Sequence, residues 1–114
     1  MSHDISEYIK PLSYKNLHPI LQGLKHNHYL LLGESTHGTE EYFAHRLAIS
    51  IIMIKDFGYN TILFEMEWSL GYQLNLFIHS KINKNINTLF NELFQSFPKW
   101  MGNNEYIMHL VLFM

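Results

Sequence analysis

Apolar runs and polar breaks alternate along the chain, and the spacing of the apolar positions changes as they do. Residues 5 to 10 suggest a short helix stopped by Pro11. Leu17 to Leu24 reads as one or two further helical turns, with Pro19 tolerable in the first. Tyr29 to Leu32 is a continuous apolar run closed by Gly33, the pattern of a buried strand. The clearest helical period runs from Thr39 to Phe57, where Phe43, Leu47, Ile51 and Ile54 recur on one side. Thr39 suits the N-cap, Glu40 and Glu41 sit at the positive end of the dipole, and Gly58 suits the position just past the end. The β-branched residues Ile49, Ile51, Ile52 and Ile54 lower intrinsic propensity, so burial has to hold this helix. Thr61 to Phe64 is a second run of strand type. Trp68 to Ser80 predicts a helix, and KINKNIN at 81 to 87 a polar loop. Thr88 to Phe97 predicts a helix ended by Pro98, and Asn104 to Met114 a last helix burying Ile107, Met108, Val111 and Leu112.

Strand, helix, strand at this spacing predicts a βαβ unit with parallel strands and a right-handed crossover. The expected fold class is therefore α/β: a partial parallel sheet with a βαβ unit and several helices. Parallel sheets normally need several strands with both faces covered, yet only two strands are predicted. The chain also stops inside the apolar run HLVLFM. Residues 1 to 114 are therefore expected to be one incomplete domain, the N-terminal fragment of a larger α/β hydrolase-like domain. Its open apolar face is expected to be covered by a missing downstream segment or by self-association.

Composition narrows the function. Of 114 residues, 47% are apolar and 16% charged, which excludes a disordered chain. The net charge of -2 and the lack of a basic stripe argue against nucleic acid as a partner. No cysteine is present, so neither disulfides nor thiolate zinc sites are available. The N-terminus MSHDISEYIK lacks the pattern of a signal peptide, and no apolar stretch is long enough to span a bilayer. A cytoplasmic protein without membrane contact is the expectation.

The candidate chemistry lies in GESTHGTEE, residues 33 to 41. Sites in open α/β sheets gather beyond the carboxyl ends of the strands. Glu34 and His37 follow the first predicted strand, and Glu65 and Glu67 follow the second. Arg46, two turns into the connecting helix, leans back toward that edge and can pair with Glu34 or Glu65. A neutral imidazole suits proton abstraction from water, and a carboxylate on its other nitrogen sets the tautomer. Glu34 or Glu65 can fill that role. The competing ordinary reading makes the acidic and threonine residues helix caps and His37 a loop histidine. Ser35 fails the nucleophile-elbow spacing, because Gly38 comes one residue late. Glu34 and His37 also form a single E-x-x-H string, but a carboxylate-bridged metal site needs two copies on helices. The ligand count argues against a metal site built from this chain alone, and no other cofactor is expected.

The segments LLGESTHGTEEYFAHRLAI, GYNTILFEMEWSLGYQLN and FPKWMGNNEYIMHLV together resemble, in order and spacing, the start of the erythromycin esterase family. The resemblance covers about Tyr29 to Val111. It implies that Glu34 and His37 match the first catalytic motif, with His37 as the base that activates water. It further implies that Arg46 matches the helix arginine and Glu65 the glutamate after the second strand. Trp68, Glu67 and Trp100 are the candidates for substrate contact, with simple packing the competing reading for the tryptophans and the favoured one for Trp68. The activity implied is hydrolysis of a small-molecule ester, with opening of a macrolide lactone, and so resistance to the antibiotic, as the named reaction. Family members run several times this length and carry further strands and a later pair of histidines. Gly102 stands where the family often has a bulky residue. The alternative is a remnant or interaction module without hydrolase activity.

Overall fold

A computed structural model describes residues 12–95 and 98–114. Among the described residues every regular element is a helix: α1 (Tyr14–Gln22), α2 (Glu40–Phe57), α3 (Trp68–Ile78), α4 (Ile86–Leu93), α5 (Lys99–Gly102) and α6 (Glu105–Phe113). The expected α/β class, with its parallel sheet and βαβ unit, is therefore wrong. Tyr29 to Leu32 and Thr61 to Phe64 are not strands. Among the described residues no backbone–backbone hydrogen bond joins residues 29–32 to residues 61–64, so the two runs form no ladder. Their exposure still alternates with period two, as in extended chain: Tyr29, Leu31 and Leu63 point outward at 84%, 91% and 91% exposure, while Leu30, Leu32, Ile62 and Phe64 are half-buried. The physical reason is partner number. A parallel pair needs further strands and cover on both faces, and these two runs have neither. Each is held by the side chains it lays on neighbouring helices.

α2 is the axis of the assembly. It packs against α1 on one side and α6 on another, and α6 also meets α3 and α4. Two apolar clusters result. Leu17 and Leu21 of α1 bury against Ile52 and Met53 of α2. His18 Nε2, 3.3 Å from Asp56 Oδ2, adds a polar tie between the same helices. The larger cluster joins Leu70 and Leu74 of α3, Leu89 and Phe90 of α4, Phe94, and Ile107 and Val111 of α6. The period in α2 places the helix correctly but not its buried face. Phe43, Leu47, Ile51 and Ile54 are only half-buried, whereas Ile52 and Met53 are sealed at 1% and 3% exposure. In α6 Ile107 and Val111 do face inward, but Leu110 takes the place expected of Leu112, which is 56% exposed.

The helix ends show where local chemistry decides. Gly58 closes α2 at φ +76°, a left-handed conformation that costs glycine nothing. Thr39 stands before α2 without a side-chain capping bond. Asn85 and Asn104 do cap, accepting from the Asn87 and Ile107 backbone N–H groups at 2.9 and 3.0 Å. Asn85 thus caps α4 inside the stretch expected to be a loop, and the helix begins at Ile86, two residues before Thr88. The helix expected at residues 5 to 10 lies outside the described residues.

α3 ends before its predicted limit because Ser80 turns left-handed at φ 55°. The Lys81 N–H then reaches the Leu76 carbonyl at 2.8 Å and the Ser80 N–H the Phe77 carbonyl at 2.9 Å. This is the double bond pattern that usually carries glycine. Ser80→Gly is therefore expected to raise stability by about 0.5–1 kcal/mol. A urea titration checks it: the midpoint should rise with no change in slope.

Gly102, buried beneath Phe94, has a different reason to be glycine. A Cβ built there would fall 2.2 Å from the Phe94 ring. A bulky residue, which the family often has at this position, would find no room here while Phe94 fills it.

Candidate active site

The segment from Gly33 to Thr39 leaves the first non-helical run and enters α2 with almost no backbone bonding of its own. Side chains fix it instead. Glu34, three residues before His37 and twelve before Arg46, holds both at once. His37 Nδ1 lies 2.8 Å from Glu34 Oε1, and Arg46 Nη1 donates to Glu34 Oε2. Arg46 reaches back from the second turn of α2, the direction helical side chains lean. The Ser35 hydroxyl donates to the Tyr42 oxygen at 3.1 Å, and the Gly38 N–H reaches Thr36 Oγ1 at 3.4 Å.

The electrostatics follow from this arrangement. The Glu34 side chain keeps 15% of its exposure, against 40% for His37 and 33% for Arg46. Burial pushes the Glu34 carboxyl up, but the bonds from His37 and Arg46 outweigh it and hold the acid below its ordinary value. Glu34 is thus a fixed anion at neutral pH. An anion accepting at Nδ1 selects the tautomer that carries its proton there, which leaves the lone pair on Nε2.

That lowered carboxyl predicts a pH dependence of stability. A carboxyl held lower in the folded chain than in the unfolded one adds stability above its ordinary value. The contribution disappears as pH falls through the lowered value. The urea midpoint is expected to drop between about pH 6 and about pH 3, and Glu34→Gln should drop less. An equal drop in both proteins would remove Glu34 from that role.

A cavity of about 1170 Å³ lies beside the trio. Glu34 and Arg46 line it, together with the α2 stripe Phe43, Leu47 and Ile54. Both non-helical runs and Tyr106, Ile107 and Leu110 of α6 complete the lining. Part of the apolar stripe of α2 therefore faces a cavity. His37 is not among the lining residues; it is joined to them through Glu34.

The other expected site residues are placed differently. Glu65 lines the cavity but makes none of the bonds considered for it: among the described residues Glu34, not Glu65, is the carboxylate bonded to His37 and Arg46. Glu67 is exposed and precedes α3 without capping it. Trp68 is 78% exposed and stacks on Tyr72, with ring centres 5.2 Å apart. Trp100 belongs to α5, and its side chain lies outside the described residues. The sequence reading missed Tyr106, whose hydroxyl donates to Glu40 Oε1 at 2.6 Å. The two residues are 66 positions apart, and nothing in the spacing announces the pair. Among the described residues no group of three or more His, Asp or Glu side chains could hold a metal ion. None of the described helices is long and apolar enough to cross a membrane. No protein-family model matches the chain, and no solved structure matches it.

Proposed function

We propose that this chain carries the water-activating half of a carboxylic ester hydrolase, as its resemblance to the erythromycin esterase family implies, acting on a small-molecule ester or lactone. The observation that supports the reading is the double engagement of Glu34 by His37 and Arg46. His37 Nε2 takes a proton from water as the water oxygen bonds to the acyl carbon. Glu34 stabilises the imidazolium that forms, and Arg46 keeps Glu34 charged and oriented. The carbon–alkoxy bond then breaks, and the same imidazolium returns the proton to the departing oxygen. The apolar cavity supplies room for a large acyl or lactone ring beside Glu34, and Glu65 stands in its lining. A cytoplasmic location belongs to the same proposal.

A second reading, a non-catalytic interaction module, is favoured by one observation. Tyr29, Leu31, Leu63 and Trp68 are large, apolar and mostly exposed, which suits a covered surface. One assay separates the two. The chain is incubated with simple esters and macrolide lactones, and acid release is followed beside a His37→Ala control. Release that depends on His37 supports the hydrolase; no release above the control from any ester leaves the interaction module.

A further inference from the structure

We propose that Tyr106 is a positioning residue for the Glu34–His37 pair, acting through its hydrogen bond to Glu40; the proposal rests on the hydrolase reading for its kinetic consequences. A loop that presents a base needs a fixed junction with the helix that follows it. The usual device is a capping side chain, and here Thr39 makes no such bond. The junction is held from outside instead. Glu40 is the first residue of α2, three positions after His37, and it accepts the Tyr106 hydroxyl at 2.6 Å. Tyr106 comes from the first turn of α6 and shares the cavity lining with Glu34 and Arg46. One phenol therefore ties the loop–helix junction to the helix that closes the other side of the cavity. The bond also survives across the working pH range. The hydrogen bond to Glu40 pushes the phenol up to about 12, so it stays a donor.

The test uses Tyr106→Phe, which removes only the hydroxyl, beside Glu40→Ala and Glu40→Gln. The Gln variant keeps an acceptor at the same place. Two readouts are taken: steady-state ester hydrolysis, and ring-nitrogen NMR of His37. Tyr106→Phe and Glu40→Ala are expected to lower kcat between about tenfold and about a hundredfold, with KM changed less than about twofold. Both should shift His37 from the single Nδ1–H tautomer toward a mixture, and Glu40→Gln should restore most of both signals. An unchanged His37 tautomer in Tyr106→Phe overturns the proposal, whether or not the rate falls. So does a rate loss that only follows a lower melting temperature. If the unaltered chain hydrolyses no ester, the hydrolase reading fails alone, and the ring-nitrogen readout still decides the role of Tyr106.

Discussion

His37→Ala is expected to lower ester hydrolysis by about a hundredfold to ten-thousandfold, the usual size of a general-base contribution. The fold should survive the change. The His37 side chain is 40% exposed and belongs to neither apolar cluster, so its loss opens no cavity. Glu34 keeps its partner in Arg46 and is not left as an unpaired, partly buried anion. The loss should fall on kcat with KM nearly constant, because the imidazole acts as charge develops and not when substrate binds. Arg46→Ala should behave differently. It removes one of the two groups that hold Glu34 anionic, and the only permanent cation of the two, so both the rate and the acid stability should suffer. Hydrolysis by His37→Ala at the unaltered rate would eliminate the base assignment.

The largest effect on stability is expected at Phe94. Its ring is 0% exposed and tilts against Phe90 at 5.3 Å between centres. Phe94→Ala should cost about 3–5 kcal/mol, combining lost burial with the cavity left behind. That is a large part of the 5–15 kcal/mol typical of a whole domain. Gly102→Ala should cost about 1–3 kcal/mol for the opposite reason, since its methyl group would enter the Phe94 ring. The two penalties share one space and must not add. In a Phe94→Ala background the Gly102→Ala change should be nearly neutral. Urea titration of the four proteins checks this, and simple additivity would show that the ring and the glycine do not compete.

These residues show what a sequence can and cannot disclose. The span of α2 was legible because period and end signal agree: Phe43 to Ile54 repeat at helical spacing, and Gly58 stops them. Its buried face was not, since a period gives a stripe and not its neighbour. α1 seals Ile52 and Met53 instead. The two apolar runs were misjudged for a related reason. An apolar tetrapeptide becomes a strand only if another backbone pairs with it, and YLLL and TILF carry no record of that partner. At the site, Glu34, His37 and Arg46 were singled out by a sheet-edge argument whose sheet is absent among the described residues, and by the resemblance. They meet because His37 follows Glu34 by three residues in one loop and Arg46 leans back from the second turn of α2. The choice between Glu34 and Glu65 was open in the sequence. Without a sheet edge to bring Glu65 alongside, the sequence-near carboxylate holds both partners. Tyr106 and Glu40 meet only through the packing of α6 on α2, which no local pattern encodes.

Whether His37 is held ready as a base can be read without any substrate. A histidine side chain free in water favours the proton on Nε2, so a neutral His37 bonded through Nδ1 to an anionic Glu34 should show the opposite. Ring-nitrogen NMR at about pH 8, where imidazoles are largely neutral, should find the proton on Nδ1 in the unaltered chain and a return toward Nε2–H in Glu34→Gln. A ring already protonated on Nε2 in the unaltered chain, with no change in Glu34→Gln, would contradict the arrangement on which the proposed hydrolysis depends.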